Sequence, residues 1–344
     1  MKFNNIGVKV ISILSVFMLA GCSNNLDDDK FKVGMVSDVG GVNDMSFNQS
    51  AWSGMKEFGN RTGATVRYLE SSQVTEYASN LDRFADQNYD LIFGVGNAMF
   101  SSVEAAARTN PELKYVIIDN DCSKTELSNL TGVVFRAQEA AFLVGYIAAL
   151  NTKTNKVGFI GGIPMDIIDQ FHYGYLSGIE YAKKESKKNV EVIIQYAQTF
   201  TDSAIGKAIA SKLFKDGCDI IFHAAGGAAA GIVESAKETG NFIIGVDSDQ
   251  SYLSPKHVLT SALKTVGKAV DIVSTRSING ENLGGKTLSF GLEDDCVGIP
   301  LEHDNYSEEI YNKAMIVREK IINGDIVPGY NKETYSKYLK TLDR

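Results

Sequence analysis

The sequence predicts an α/β protein built as two doubly wound parallel-sheet lobes. Three observations predict it. Short apolar runs, many of them β-branched, recur along the chain as strands buried on both faces do. Segments with apolar residues at helical spacing separate them, so the links read as right-handed crossovers between parallel strands. A polar stretch, 151–155, divides the series into two similar halves of four strand–helix units each.

The elements follow in order. The run 33–36 is the first strand, and a helix spans about 46–58. The run 66–69 leads to a helix over 75–88, with Tyr77, Leu81 and Phe84 on one face. The run 91–95 leads to a helix over 99–108. Strands at 115–118 and 132–135 follow, then a strongly apolar helix over 138–150. In the second half, 157–160 precedes a helix marked by Ile168, Phe171, Tyr175 and Ile179. The run 192–196 precedes Ile205, Ile209 and Leu213 at helical spacing. The run 220–222 precedes Ile232 and Ala236, and 242–246 ends the series. The segment 251–257, with Pro255, is expected to return the chain to the first lobe, where 259–266 would be a strand and 269–277 a helix. A helix over 306–322 would close the second lobe. Three crossings make a three-segment hinge rather than a flexible leash. The expected lobes are 31–150 plus about 257–297, and 151–256 plus about 298–344.

The N-terminus carries a different signal. Lys2 and Lys9 accompany a mostly apolar run, 10–20, that ends in Leu19-Ala20-Gly21-Cys22. A basic start, an apolar segment of this length and small residues before a cut site form a secretory signal. Cys22 directly after the small residues makes it a lipobox. Residues 1–21 are therefore expected to be removed and Cys22 to be lipidated. Acyl chains on one residue hold a domain at a bilayer surface without a transmembrane helix. Residues 22–30 are polar and acidic and read as a tether. The expectation is a bacterial protein on the extracytoplasmic side of the cell membrane, anchored by lipid.

Composition narrows the partners. Losing residues 1–21, with Lys2 and Lys9, leaves 32 basic residues against 42 acidic ones, a net charge of −10. That argues against nucleic acid. After residue 22 no apolar run approaches the roughly 18 to 20 residues that span a bilayer. Cys122, Cys218 and Cys296 are an odd, widely spaced set and no disulfide framework. Cys218 opens an apolar strand and reads as core, and a Cys122–Cys296 bridge stays open. The four histidines show no metal-ligand spacing. His172 reads as solvated, and His223, at a strand end, is a candidate for the cleft wall. No metal and no cofactor are expected.

In open α/β sheets the ligand lies beyond the carboxyl ends of the strands. The first strand ends in Ser37-Asp38, followed by Gly40, Gly41, Asn43 and Asp44. The fourth ends in Asp119-Asn120-Asp121, and the run 242–246 leads into Asp247-Ser248-Asp249-Gln250. The run 192–196 leads to Thr199-Phe200-Thr201-Asp202, and 220–222 leads to Gly226-Gly227. Aspartate is also a good helix cap and turn former. Taken together, these ends give two lobes that aim carboxylates at one cleft. Such a cleft accepts hydrogen bonds from hydroxyls, amines and ring N–H groups, and it repels phosphate. Neither a dinucleotide fingerprint nor a P-loop offsets that. Phe47 and Phe200, in turn chemistry on either side, can clamp a flat ring. Lys264 interrupts the apolar run 259–266 and needs a carboxylate partner or a ligand. It can pair with Asp247 or donate to a ribose oxygen. No nucleophile elbow is present.

Several segments resemble one family. Asp44-Met45-Ser46-Phe47-Asn48-Gln49-Ser50 resembles the D-x-S/G-F-N motif of the basic membrane protein family of lipoproteins. The stretch from Phe135-Arg136 through Glu139 to Tyr146 resembles its F-R-x-x-E-x-A-F-L-x-G segment. The segments 156–162, 220–226 and 244–252 are also similar, and the likeness covers nearly the whole mature chain. The resemblance implies the type I periplasmic-binding-protein fold and the role of a substrate-binding lipoprotein of an ABC importer, with purine nucleoside receptors as the best-understood members. Carried over by residue, it implies that Phe47 and Phe200 sandwich the purine and that Asp119 bonds the base edge. Asp247 and Lys264 would hold ribose hydroxyls, and Asp38, Asn48 and the backbone of Gly226 would complete the shell.

The expected function is a lipid-anchored, non-enzymatic binding protein, monomeric because one chain forms the whole cleft. It closes on a purine nucleoside and presents it to a membrane permease. The alternatives are a hydrolase that uses the same carboxylates on a nucleoside, and a sensor or adhesin lipoprotein of the same fold.

Overall fold

The computed structural model describes residue 1, residues 30–44 and residues 46–342; Cys22, the expected signal peptide and nearly all of the expected tether lie outside them. In chain order the first elements are β1 (Lys32–Ser37), α1 (Phe47–Thr62), β2 (Thr65–Leu69), α2 (Tyr77–Ala85), β3 (Leu91–Val95), α3 (Phe100–Thr109), β4 (Lys114–Ile118), β5 (Leu130–Phe135) and α4 (Ala137–Asn151). Next come β6 (Lys156–Gly161), α5 (Asp166–Ser186), β7 (Glu191–Tyr196), α6 (Ser203–Lys215), β8 (Ile220–Ala224), α7 (Ala229–Thr239) and β9 (Phe242–Asp247). The last are β10 (Val258–Lys264), α8 (Val266–Ile278), β11 (Thr287–Phe290), β12 (Val297–Gly298), α9 (Glu308–Ile322) and α10 (Lys332–Leu342).

These strands form two six-stranded sheets, ordered β11-β5-β4-β3-β1-β2 and β12-β10-β9-β8-β6-β7. Every pairing is parallel except the short β10–β12 pair, which is antiparallel. β3 and β8 are buried along their whole length, which is why their sequences are continuously apolar. The two orders correspond strand for strand, so β4 and β9 occupy equivalent places, as do β5 and β10.

The chain crosses between sheets three times: after β5, after β10, and between β11 and β12. These crossings differ from the expected ones. The strand expected in the first lobe at 259–266 is β10 and is hydrogen-bonded to β9 of the second sheet. The segment 251–257 therefore stays within the second lobe. The first crossing falls at Arg136, because α4 packs along α5 and not on the sheet it follows. Almost every residue of α4 is buried, as a helix apolar on all sides demands. The stretch 151–155 is only its turn into β6.

α8 mirrors α4. It follows β10 of the second sheet yet packs along α1 of the first lobe. Each lobe thus receives one helix from the other. The helix pairs lie close enough that only glycine fits: a Cβ on Gly54 would stand 2.0 Å from the Gly267 carbonyl oxygen, and one on Gly178 would stand 2.0 Å from that of Phe142. Each guest helix is also bonded at its N-terminus by its host. Ala137 N–H donates to Gln170 Oε1 on α5 at 3.2 Å, and Gly267 N–H donates to Ser50 Oγ on α1 at 3.1 Å.

A charged network ties the first and third crossings together. Arg136 Nε donates to Glu139 Oε1 at 2.7 Å, and its other arm pairs with Glu293. Glu139 Oε2 accepts from Leu292 N–H at 2.8 Å. Cys122, Cys218 and Cys296 are free and buried, so the conceivable Cys122–Cys296 bridge is not formed. His172, read as solvated, lies instead stacked on Phe159 and Tyr173, and burial lowers it to about 4. Among the described residues no helix is long and apolar enough to cross a membrane, and no side-chain group is placed to hold a metal ion.

Candidate functional site

The carboxyl ends of the strands from the two sheets meet. Asp119 follows β4 and Asp247 ends β9, at equivalent places in the two lobes. Both have left-handed backbones, with φ of 67° and 64°. Aspartate tolerates that region better than most residues, but strain of this kind costs about 1–3 kcal/mol and clusters at functional sites. The turn aims each carboxyl out of its own sheet and toward the opposite lobe.

Two bonds then join the lobes. Lys264 Nζ, at the end of β10, donates to Asp119 Oδ2 at 2.5 Å. Ser46 Oγ, before α1, donates to Asp247 Oδ2 at 2.6 Å. Lys264 is 2% exposed, so its charge has little water and relies on that carboxylate. Its ammonium also stands 4.7 Å from the Phe47 ring centre and 5.1 Å from that of Phe135, within cation–π range. Its direct partner is Asp119, not the Asp247 considered from sequence. Burial nonetheless pushes the Asp247 carboxyl up to about 6, against the Lys264 charge and the Ser46 bond, with Asp119 and Asp44 adding to the rise.

On the first lobe, Asn48 Nδ2 donates to Asp38 Oδ1 at 2.8 Å and to Asp44 Oδ2 at 3.0 Å. Burial raises the Asp38 carboxyl above its ordinary range despite the bonds from Asn48 and Gly40. Asn48 is 2% exposed, and its Oδ1 has no hydrogen-bond partner. A buried acceptor left open in this way calls for an explanation. On the second lobe, the Phe200 ring lies against the backbone of Gly162, where a Cβ would stand 2.2 Å from it. Gly226, with φ of 54°, lies beside the Phe200 backbone. Phe47 and Phe200 are both half-buried and packed on the same core, and neither is sealed inside its own lobe.

The strand-end aspartates divide by role. Asp44 accepts from the backbone N–H groups of Ser46, Asn48 and Gln49, so it caps α1. Asp202 caps α6 through Ala204 and Ile205 N–H. Those two serve as ordinary caps. Asp38, Asp119 and Asp247 cap no helix. His223 is fully buried and does not form an exposed wall of the cleft. Ser46, Phe135 and Gln170 were not singled out from sequence. Ser46 and Phe135 stand inside the two motif segments, which was the available signal; Gln170 had none.

Between Asp119, Phe135, Gln170 and Lys264 a cavity of about 20 Å³ remains, room for about one water. A larger guest fits there only if the lobes part, which breaks both bridging bonds. A larger cavity of about 240 Å³, lined in part by Leu91, Lys114, Val273 and Leu283, lies at the opposite edge of the first sheet, away from these carboxylates.

Two lobes with acceptor-rich strand ends facing each other are the geometry of a solute receptor, and residues 31–332 match the family described as ABC transporter substrate-binding protein PnrA-like. The chain belongs to that family. It is 39% identical over 328 residues to basic membrane protein A of Borreliella afzelii, covering 94% of this chain and 99% of the relative. It is 35% identical over 355 residues to the ABC transporter nucleoside-binding protein BmpA of Lactococcus lactis, covering 95% and 99%. Among solved structures, an ABC transporter solute-binding protein from Aeropyrum pernix is similar with a TM-score of 0.79 at 26% identity, covering 91% of this chain and 97% of that one. As a substrate-binding protein of this family, the chain has a small-molecule ligand and a permease as its partners.

Proposed function

We propose that this protein binds purine nucleosides between its lobes and delivers them to the permease of an ABC importer, from a lipid anchor at Cys22. The observation that carries the reading is the junction of Asp119, Lys264, Asp247 and Ser46 beside the Phe47 ring. It offers several acceptors and one cation next to an aromatic face. That set matches a guest with a flat ring, N–H donors and sugar hydroxyls, and it disfavours an anion.

In this reading Phe47 and Phe200 stack on the purine from opposite lobes. Asp119 accepts from the base edge, and Asp247 and Lys264 hold the ribose. Asp38, Asn48 and the Gly226 backbone complete the shell, with Asn48 Oδ1 as a ready acceptor. Opening breaks the Lys264–Asp119 and Ser46–Asp247 bonds, and closure on the guest replaces them with bonds to it. A single chain supplies all of these groups, which favours a monomer.

Calorimetric titration of the purified mature chain with guanosine, inosine, free bases, ribose and amino acids tests it. Saturable binding of nucleosides, with weaker binding of free bases and none of amino acids, is expected. Preference for an amino acid or a bare sugar overturns the ligand assignment, and steady release of free base from guanosine makes the protein a hydrolase.

A further inference from the structure

We propose that the cavity of about 240 Å³ at the edge of the first sheet away from the cleft is a second binding site, for a small neutral ring compound that carries one hydroxyl group. The proposal does not depend on what the cleft binds.

The cavity arises where two apolar stripes end together. On α8 the core-facing positions run Val266, Val270 and Val273, and then Ser277. On β5 one face runs Phe135 and Val133, and then Thr131. The three valines of α8, Val133 and Phe135 belong to one core. Ser277 and Thr131 line the cavity instead, and a serine fills less space than the valines before it. Each of the two is 4% exposed, and neither hydroxyl has a hydrogen-bond partner among the described residues. Buried hydroxyls left open call for an explanation.

The rest of the wall selects the guest. Leu91, Val116, Val273 and Leu283 are buried aliphatic side chains that offer water no bond. Thr131 stands directly opposite Val116 across the sheet, so its hydroxyl rises from an apolar floor. Poorly held water on such a floor is displaced with a gain in affinity by an apolar group. An apolar cavity of about 150 Å³ takes up benzene, so this one has room for a substituted ring. The exposed side of the cavity carries Glu112 and Lys114, of opposite sign. Glu281 is already bonded by Arg276 Nε at 2.8 Å. Charges balanced in this way select a neutral guest. Its hydroxyl donates to one of the two open hydroxyls and accepts from the other. The floor belongs to the first sheet, whereas α8 follows β10 of the second. An occupant therefore braces a guest helix against its host and stabilises the fold by mass action.

The test uses phenol, with toluene as a control of similar shape, on the purified mature chain. Methyl resonances of Val273 and Leu283 should shift saturably with phenol, which should bind about tenfold more tightly than toluene and raise the melting temperature. No saturable shift of those methyl groups, or equal binding of phenol and toluene, overturns the proposal. Shifts confined to residues around Asp119 and Lys264 place the guest in the cleft and overturn it as well. A second arm combines Thr131→Val with Ser277→Ala. Phenol affinity should fall about tenfold while toluene affinity stays within about twofold. An equal loss for both compounds, or no loss for phenol, also overturns it. Should the double variant fail to fold, Thr131→Val alone, which keeps the shape of the side chain, carries the same comparison.

Discussion

Lys264 and Asp119 come from different sheets and meet at 2.5 Å, with the lysine almost wholly withdrawn from water. Each is the last or next residue of its strand. The ion pair therefore spans the opening that the two lobes form, and it fixes how their strand ends face each other.

Lys264→Met should destabilise the protein strongly. Removing one member of a buried pair leaves the other charged and unpaired, at about 3–5 kcal/mol. Urea unfolding should show that loss, and Asp119→Asn in the same background should recover more than half of it. A single-variant loss below about 1 kcal/mol, the range of exposed ion pairs, would show that the pair is solvated.

Phe47→Ala should weaken guanosine binding at least tenfold, since stacking of a base on an aromatic ring contributes about 1–3 kcal/mol. Phe47→Tyr should retain most of the affinity. Calorimetry decides it, and unchanged affinity in the alanine variant removes the ring from the binding site.

Asp247 should make both stability and binding depend on pH. Its folded value, about 6, lies above the ordinary 3.8. The native state thus keeps the proton longer than the unfolded chain. The stabilisation is complete below the unfolded value, declines as pH rises through about 6, and is absent above it. In the proposed function binding runs the other way, because a ribose hydroxyl would donate to the ionised carboxylate. Guanosine affinity should fall roughly tenfold between pH 7 and pH 5. Asp247→Asn should flatten that profile and harm nucleosides more than free bases. An equal loss for both would place Asp247 away from the sugar.

Gly54→Ala should lower the melting temperature through a backbone clash with α8. Overpacking of this kind costs about 1–3 kcal/mol. Gly298→Ala is the control, because a Cβ there meets nothing within 4 Å and the residue lacks a positive φ. If both variants melt alike, α1 and α8 are not in close contact.

The strands with both faces buried were legible in sequence because burial leaves a continuous apolar run. β11 and β12 were not. The first is Thr-Leu-Ser-Phe with only Phe290 buried, and the second is two residues long. α10 escaped because only Tyr338 on it is buried. That β10 is a strand could be read from its residues, but its sheet could not, since that depends on pairing with β9 and not on any local pattern. The same limit applies at the cleft. Lys264 announced itself as a charge inside an apolar run, while its partner Asp119 lies 145 residues away. Ser46 lies inside a motif segment, but its role shows only in the approach of Asp247.

The exchange of α4 and α8 sets a condition on how this chain matures. A half expressed alone would keep a helix meant for its absent counterpart and would leave a glycine-lined apolar trough bare. Such halves should aggregate, or recombine when produced together, and the intact molecule should melt in one transition. Neither half can therefore be completed until the entire polypeptide is available.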